Sequence, residues 1–481
     1  MKDIYQNELK KLFTKWSGEE ALSTKQLPQS GSYREYCRFT SANHKALGVF
    51  NEDIKENIAF IEFSKQFLAI GLRVPEILAV SQDKTVYLIS DLGDTTLFQF
   101  LQHKRKDATF PEEAMEVYEK IVALLPDFQV KAGKNVDYSV CYPRDAFDKL
   151  SMMWDLNYFK YYFLKLAKIP FDEQLLEDDF QTFSDYLLEE KSEFFLYRDF
   201  QSRNIMLVEN EPYFIDYQGG RKGALQYDLA SLLCDSKANI PESVKAKLVE
   251  QYLDALEKQM PVNRDSFKQY YQGFVLIRLM QAMGAYGFRG FYERKTHFLQ
   301  SIPFALKQLL YLLENFNLPI KVPHLLQVLN RLIDSPELKK YGRVFQNQVP
   351  LSVSINSFSY RKGLPEDESG NGGGFIFDCR CLHNPGRYEG YKELTGKDKP
   401  VIDFLRKEES AETFLQNVFQ MVDQAVERYL DRNFVNLQVN FGCTGGQHRS
   451  VYSAERLKEH LQSRYKDQLN ITLKHREQPQ L

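Results

Sequence analysis

The sequence lacks several features that would each have indicated a particular class of protein. It has no apolar run of about 20 residues, the length that a membrane span needs. Its N-terminal segment, MKDIYQNELKKLFTKW, lacks the apolar stretch and the small-residue cleavage site of a secretory signal. Its 6 cysteines are scattered over 481 residues without the spacing of a disulfide scaffold, and the net charge of -3 gives no chain-wide attraction to nucleic acid or anionic membranes. These absences predict a reduced, cytosolic protein that has no membrane partner.

The remaining composition is that of an ordinary globular protein, with 43% hydrophobic and 26% charged residues. At about 150 residues per domain, the length predicts two to four compact units. Residues from about 30 to 95 hold short strand-like runs (YREYCRFT, ALGVF, TVYLIS) around a helical segment that ends near Gly71. Helical periodicity then dominates to about 335, except in the β-rich stretch SEFFLYRDFQSRNIMLVENEPYFIDY. We therefore predict one domain over 1–335, with a small lobe at about 1–95 and a large lobe at about 96–335.

The composition changes near SPELKKYGRVFQNQVP, where we predict a linker at 336–349. Beyond it, strands (LSVSINSFSYRKG, GFIFDCRCL, VNLQVNFGC) alternate with helices, which is the pattern of an α/β unit. This predicts a second domain at 350–481. Cys379 and Cys381 form a CxC motif in an apparent strand, but no partner residues for a metal site are evident there.

The β-rich stretch of the first domain carries residues that suit phosphoryl transfer. Asp199 and Asn204 lie on one loop, and Asp216 stands between apolar residues one hairpin later. Phosphoryl transfer needs a group that orients the attacking hydroxyl and accepts its proton, and oxygen ligands that hold Mg²⁺ against the nucleotide phosphates. We assign Asp199 as the base, Asn204 and Asp216 as the Mg²⁺ ligands, and ATP as the phosphate donor. The alternative is that these are ordinary turn residues, and the second Asp at hairpin distance argues against it.

The motifs LYRDFQSRNIML, YFIDYQGG, YDLASLLCD and LISDLGD resemble those of the aminoglycoside phosphotransferase family. Together with MQAMGAYGFRG they are similar to the bacterial N-acetylmuramate/N-acetylglucosamine anomeric kinases of cell-wall recycling. The resemblance implies a chain of α/β and α+β class, with a bilobal protein-kinase-like phosphotransferase fold followed by a smaller α/β domain. It also places Ser90, Asp91 and Leu92 in the hinge beside the adenine, and makes Asp228 a structural residue that braces the catalytic loop.

The chain departs from this family at two places. The catalytic loop of the family often begins with His, and Tyr197 stands at that position. The small lobe also shows no evident Lys for the α- and β-phosphates, because the candidate strand ALGVFN has none and Lys45 lies before it. The anomeric kinases share this second feature.

We therefore predict the phosphate contacts at a turn near the start of the small lobe, at Ser30, Gly31 and Ser32. Glycine permits close approach of the backbone, hydroxyl and amide groups can face a phosphate, and Arg34 or Arg38 adds positive charge. A plain β-turn is the alternative.

The sugar acceptor is the least readable part of the first domain. The aromatic stretch MMWDLNYFKYYF can present Trp154, Asp155, Tyr158 or Tyr161 to a sugar, although such stripes are usually core. Cationic acceptors such as aminoglycosides or choline need an acidic pocket, and no matching acidic cluster is evident.

The second domain contains a glycine-rich loop at the junction of a strand and a helix, GCTGGQHRS. Adjacent glycines let backbone N–H groups converge, the helix N-terminus adds positive potential, and Arg449 offers a guanidinium fork, so the loop is predicted to bind a phosphate. Cys443 and Arg449 also have the spacing of a cysteine-dependent phosphatase loop, but no general acid can be placed.

The segments SFSYRKGLP, FIFDCRCLHNP, LTGKDKPV and FGCTGGQHRSVY resemble the C-terminal domain of the RNase adapter protein RapZ, which senses an amino-sugar phosphate. The chain has no GxxxxGK(S/T) nucleotide loop, and its last residues, KHREQPQL, lack a basic cluster for RNA. The resemblance implies a phosphosugar pocket for glucosamine-6-phosphate or a related metabolite, lined by Asp378, Arg380, Asn384, Thr444, Gly445, Gly446, His448 and Arg449.

These patterns together predict a Mg-ATP-dependent kinase of an N-acetylated amino sugar, with the anomeric hydroxyl as the acceptor that the resemblance implies. The second domain is predicted to regulate the kinase by binding a phosphosugar. The alternative is a catalytically weak, kinase-like adapter or RNA-binding regulator of amino-sugar metabolism. The oligomeric state is left open.

Overall fold

The computed structural model of the chain describes residues 3–28, 34–105, 109–315, 318–343, 351–366, 374–431, 434 and 436–478. The chain divides into two compact units, Met1–Arg294 with Ser301–Lys339 and Lys295–Gln300 with Lys340–Leu481. Among the helices in the described ranges, none combines the length and the apolar character that a bilayer crossing would need.

The first unit begins with a five-stranded antiparallel sheet in the order β1-β2-β3-β5-β4. Leu9 and Phe13 of the first helix are fully buried in a cluster with Phe39 and Val86 of the sheet. The elements of this small lobe are α1 (Asp3–Ser17), β1 (Ser23–Gln26), β2 (Glu35–Thr40), β3 (Lys45–Phe50), α2 (Ile54–Ala69), β4 (Ile77–Val80) and β5 (Val86–Ser90).

Helix α2 joins the small lobe to the catalytic region of the large lobe. It begins after Asp53, whose side chain accepts from the N–H groups of Lys55 and Glu56, and it is followed by Gly71 at φ +81°, as the sequence predicts. Its buried phenylalanines belong to one hydrophobic cluster with large-lobe residues, and the ring of Phe60 stacks on that of Tyr217 at 5.0 Å. This packing fixes the first turn of α2 beside the loop that follows Phe214.

The large lobe is mainly helical, with two short hairpin-like sheets that carry the predicted catalytic residues. Strand β6 pairs with β9, and β7 pairs with β8, both antiparallel. Its elements are α3 (Leu97–Lys104), α4 (Glu112–Pro126), α5 (Lys149–Phe159), α6 (Glu173–Leu187), β6 (Phe194–Leu196), β7 (Ile205–Val208), β8 (Glu211–Phe214), β9 (Arg221–Gly223), α7 (Gln226–Leu233), α8 (Glu242–Glu257), α9 (Arg264–Gly287), α10 (Ile302–Asn315), α11 (Pro323–Asp334) and α12 (Pro336–Arg343). Helix α12 takes up the first part of the segment predicted as a linker, and the rest of that segment lies outside the described residues.

The second unit contains a four-stranded parallel sheet in the order β11-β12-β10-β13. Its elements are β10 (Leu351–Ser359), β11 (Phe375–Asp378), α13 (Lys399–Arg406), α14 (Glu409–Asp431), β12 (Asn436–Cys443), α15 (Arg449–Tyr465) and β13 (Leu469–His475). The register pairs Ser359 with Cys443 and Asp378 with Gly442, so three strands end side by side. In parallel α/β sheets, ligands bind at this carboxyl edge.

The prediction that the CxC motif lies in a strand is wrong. Strand β11 ends at Asp378, and Cys379–Cys381 form a short 3-10 turn. The Asp378 carboxylate accepts from the N–H of Arg380 at 2.9 Å, and such a local side-chain bond draws the backbone out of the sheet.

Candidate functional site

The catalytic loop after β6 is held by a buried carboxylate. Asp228, in α7, accepts from the N–H groups of Tyr197 at 2.7 Å and Arg198 at 2.9 Å, and from the amide of Gln129 at 3.4 Å. Complete burial raises the pKa of Asp228 to about 7, although these donors act in the opposite direction. The predicted bracing role of Asp228 is therefore present in the structure.

Arg198, the residue before the predicted base, has an uncommon left-handed backbone conformation at φ +82°. Its guanidinium donates to both carboxylate oxygens of Asp155, at 2.6 and 2.8 Å, and to the Tyr227 hydroxyl at 2.6 Å. These bonds hold the backbone that presents Asp199. They also engage the carboxylate of Asp155, so the structure gives this predicted sugar contact a bracing role instead.

The structure brings Asp199, Asn204 and Asp216 together, as the sequence predicts. The Asn204 side-chain amide donates to the backbone carbonyl of Asp199 at 2.9 Å and to the Asp216 carboxylate at 3.0 Å. Enclosure in the protein raises the pKa of Asp216, and the negative charge of Asp199 raises it further. Asp216 also lies at φ +70°, and non-glycine residues in that region cluster at functional sites.

Tyr197 connects the two loops that carry these residues. Its hydroxyl donates to the backbone carbonyl of Ile215 at 2.6 Å, next to Asp216. The side-chain amide of Gln201 donates to the Asp199 carboxylate at 3.2 Å and orients it. Tyr197, at the position where the resemblance leads one to expect His, thus ties the two loops together through its hydroxyl.

The small lobe contributes a buried cation to this cluster. The Arg34 side chain, only 3% exposed, lies 3.1 Å from the Glu56 carboxylate and 3.8 Å from that of Asp216. Glu56 stands in the first turn of α2 and also accepts from the Asn51 amide at 2.8 Å. In protein kinases, a Lys–Glu pair between a small-lobe strand and a helix holds the phosphate-binding cation. Arg34, the residue before β2, forms a comparable pair with Glu56.

Two polar residues of this cluster, Glu56 and Gln218, were not identified from the sequence. The Gln218 amide donates to Asp216 at 2.7 Å and to Glu56 at 3.4 Å, and thereby links the two lobes. Glu56 carries a weak sequence signal, because it lies three residues after the helix-capping Asp53.

Arg38, which was predicted to add positive charge at the phosphates, pairs with carboxylates instead. Its guanidinium pairs at 2.7 Å with Asp91, within the segment predicted as the adenine hinge, and at 2.8 Å with Asp94, which follows that segment. Ser90 is paired with Glu76 through two hydrogen bonds of 3.0 Å, and Leu92 is partly exposed. Arg38 thus fixes the shape of the hinge. The predicted contacts Ser30, Gly31 and Ser32 lie outside the described residues.

The donor set of the cluster fits a hard divalent cation such as Mg²⁺. Carboxylate and amide oxygens are the protein ligands that Mg²⁺ prefers, and it commonly uses only one or two carboxylates together with substrate phosphates. A bound cation would offset the enclosure of the Asp216 carboxylate and the nearby negative charge of Asp199, which together raise the pKa of Asp216. Groups of three or more His, Cys, Asp or Glu side chains suited to a metal are absent from the described part of the chain.

The glycine-rich loop of the second unit is a compact, hydrogen-bonded turn at the carboxyl edge of the sheet. Gly446, at φ +71°, donates its N–H to the sulfur of Cys443 at 3.2 Å, and the Ser450 hydroxyl lies 3.1 Å from the same sulfur. The Ser359 hydroxyl donates to the carbonyl of Thr444 at 2.7 Å. No described atom lies within 4 Å of the position where a Cβ of Gly445 would stand, so the loop is open on that side.

Two of the residues predicted to face an anion instead contact backbone carbonyls of neighbouring turns. Arg449 is buried and donates to the backbone carbonyls of Arg380 at 3.1 Å and Leu382 at 2.9 Å, and a ring nitrogen of His448 lies 2.8 Å from the carbonyl of Tyr391. The sequence gives the residue type, but it cannot show whether an Arg or His side chain contacts a ligand or a backbone carbonyl.

The remaining predicted residues of the pocket lie at the ends of neighbouring strands. Arg380 pairs with Asp378 at 2.7 Å, and this pairing lowers the pKa of Asp378. The Arg380 guanidinium also lies over the ring of Tyr360, at 4.1 Å from its centroid. Asn384 accepts from the N–H of Gly386 at 3.2 Å and so shapes the turn beside His448.

Comparison with known families assigns both units. Residues 52–269 match the phosphotransferase enzyme family, and residues 351–479 match the RapZ C-terminal domain. The resemblance to the aminoglycoside phosphotransferase family and the resemblance to the RapZ C-terminal domain are therefore confirmed over these residues.

Curated relatives match over a limited part of their length. A nucleotide-binding protein of Hahella chejuensis is 31% identical over 147 residues, which is 31% of this chain and 48% of the relative. A nucleotide-binding protein of Methylococcus capsulatus is 36% identical over 130 residues, 27% of this chain and 41% of the relative. The chain thus spans less than half the length of these relatives.

Solved structures show weaker similarity. Choline kinase LicA from Streptococcus pneumoniae is 13% identical, with 70% of this chain and 100% of that chain covered and a TM-score of 0.39. A putative aminoglycoside phosphotransferase from Ralstonia eutropha is 12% identical, with 70% of this chain and 98% of that chain covered and a TM-score of 0.40.

Proposed function

We propose that this chain, a phosphotransferase-family kinase fused to a RapZ C-terminal domain, transfers the γ-phosphate of ATP to a hydroxyl of an amino sugar. The observation that carries the proposal is the convergence of Asp199, Asn204 and Asp216 through the shared amide of Asn204. A loop that served only as a turn would have no need to hold the negative charge of Asp199 close enough to Asp216 to raise the pKa of that enclosed carboxylate.

The roles of these residues follow from their chemistry. Asp199, oriented by Gln201, accepts the proton of the attacking hydroxyl and positions that hydroxyl. Asp216 and the carbonyl oxygen of Asn204 would hold Mg²⁺, which supplies charge neutralisation between the nucleotide phosphates. Asn204 now directs its amide nitrogen at Asp216, so holding a cation requires its oxygen to turn toward the ion.

Arg34 is the proposed contact for the inner phosphates. It is buried and its charge is balanced by Glu56 and Asp216, so its position is fixed before the nucleotide arrives. Arg34 would supply the phosphate-binding cation of the small lobe. The apparent absence of such a cation is what favoured the alternative of a catalytically weak adapter. Ser30, Gly31 and Ser32 remain proposed phosphate contacts, and Ser90, Asp91 and Leu92 remain proposed adenine contacts.

The sugar class is proposed from the resemblance to N-acetylmuramate/N-acetylglucosamine anomeric kinases and from the aromatic surface of α5. Trp154 is half-exposed, and although the Arg144 guanidinium lies over its ring at 5.8 Å from the centroid, the exposed part of the ring can contact a sugar. Tyr158 packs against Tyr162 and Phe288, and Tyr161 bonds to Glu173. Trp154 is therefore the favoured sugar contact on this helix.

The second unit is proposed to bind a phosphosugar at the loop around Gly445 and Gly446 and to regulate the kinase. The proposal is supported by the open space beside Gly445, the helix N-terminus that follows the loop and the two families' common connection with amino-sugar metabolites.

A coupled assay of ATP consumption over a panel of sugars tests the function. We expect turnover with N-acetylmuramate or N-acetylglucosamine and none with choline or an aminoglycoside, and we expect added glucosamine-6-phosphate to change the rate. Turnover confined to choline or an aminoglycoside would overturn the acceptor class. A rate indifferent to glucosamine-6-phosphate would remove the regulatory part alone.

Replacing Arg34 by Met should raise the KM for ATP and lower kcat/KM by about 10- to 100-fold, because a charge-assisted contact to phosphate contributes roughly 1.5–3 kcal/mol. Arg34→Lys should recover part of the loss, since it keeps the charge. The exposed Arg73, which pairs with Glu211, provides the control Arg73→Met. Steady-state kinetics and calorimetric ADP binding measure the effect, and an unchanged affinity for ADP in Arg34→Met would contradict the assigned contact.

A further inference from the structure

A buried carboxylate lies against the glycine-rich loop of the second unit. Glu477 follows β13, and its side chain is only 8% exposed. A Cβ atom at Gly446 would overlap the Cγ atom of Glu477 and would lie 3.1 Å from the Ser359 nitrogen. Glycine at 446 therefore allows the glutamate side chain to pack directly on the loop.

This acidic group is unexpected beside a loop that suits an anion. Helix α15 begins directly after this loop and its N-terminus favours negative charge, whereas a carboxylate packed on the loop repels a ligand that carries only a phosphate. A carboxylate at such a site is favourable when the ligand brings a positive charge as well.

The present ion-pair partner of Glu477 can be replaced. Lys362 Nζ lies 2.5 Å from Glu477 Oε2, but the Lys362 side chain is 70% exposed. Exposed lysines are well solvated and gain little from one ion pair. A ligand ammonium can therefore take the place of Lys362 and release it to water.

We propose that Glu477 is a specificity-determining residue that selects a phosphate ester with a free ammonium group. The glycine-rich loop takes the phosphate, and Glu477 takes the ammonium. The ligand class is then an amino-sugar phosphate with an unmodified amine, in preference to its N-acetylated or unaminated analogue. This inference rests on the proposed phosphosugar binding by the second unit.

Calorimetric titration of the full chain with glucosamine-6-phosphate, glucose-6-phosphate and N-acetylglucosamine-6-phosphate tests the proposal. The wild type should bind glucosamine-6-phosphate at least about tenfold more tightly than the other two, a modest ratio for a close charge pair. Glu477→Gln keeps the shape of the side chain and should remove this preference by weakening glucosamine-6-phosphate alone. Lys362→Met should leave or increase the affinity for glucosamine-6-phosphate, because it removes a competing cation.

The outcomes separate this inference from the function on which it rests. If the wild type binds none of the three sugars, the proposed phosphosugar site is wrong and the inference fails with it. If it binds all three equally, or if Glu477→Gln tightens all three, the site stands and the selective role of Glu477 is overturned. Thermal melting of each variant identifies any loss of folding, and Lys362→Met then provides an independent comparison.

Discussion

Replacing Asp199 by Asn should lower kcat by about 10²–10⁴-fold, the usual contribution of a positioned general base. The carboxylate oxygen that accepts from Gln201 is retained as an amide oxygen, so the loop keeps its shape while it loses the proton acceptor. The KM for ATP and the melting temperature should change little, because the braces of the loop are the contacts of Asp228 and Arg198. Steady-state kinetics with the accepted sugar, together with thermal melting, measure these effects.

The control for this substitution is Asp265→Asn, which removes an exposed carboxylate in the first turn of α9. It should match the wild type in both kcat and melting temperature. If Asp199→Asn retains full activity, the proton acceptor lies elsewhere. If Asp199→Asn is inactive only because it melts earlier, the residue has a structural role.

The proximity of the three proposed catalytic residues could be predicted from the sequence because they lie close together in the chain and beside regular elements. Asp199 and Asn204 share one loop, and a hairpin of short strands returns the chain to Asp216. The register of this hairpin pairs Ile205 with Phe214, and the N–H of Ile215 donates to the carbonyl of Asn204 at 3.0 Å, so Asp216 comes to lie beside Asn204.

The pairing of Arg34 with Glu56 could not be predicted in the same way. Arg34 lies just before β2 and Glu56 lies in α2, and their contact depends on how α2 packs against Tyr217 through Phe60. That packing is a tertiary effect. The strand ALGVFN is where a phosphate-binding Lys would be expected, whereas the proposed cation, Arg34, is the residue before β2.

In the second unit, too, the contacts of arginine and carboxylate side chains could not be predicted from the sequence. The loop between Cys443 and Arg449 could be located from its glycines, but the direction of each side chain depends on which backbone carbonyls need a donor. Arg449 satisfies carbonyls of the turn after Asp378, while Arg380 stays at the surface. Glu477 gave no signal, because it reaches the loop through the last strand of the sheet.

Replacing Asp216 by Asn should remove Mg²⁺-dependent nucleotide binding and lower kcat/KM by about 10²–10⁴-fold, since the metal contributes several kcal/mol of transition-state stabilisation. Asparagine keeps the size of the side chain but loses the charge that attracts the cation, and its amide nitrogen would oppose that of Asn204. Calorimetric ADP binding with and without Mg²⁺ gives a readout that needs no turnover: Mg²⁺ should strengthen binding in the wild type and in Asp265→Asn but not in Asp216→Asn. Equal enhancement by Mg²⁺ in all three proteins would mean that the cation is held by other oxygens, and Asp216 would then serve only to fix Arg34 and Gln218.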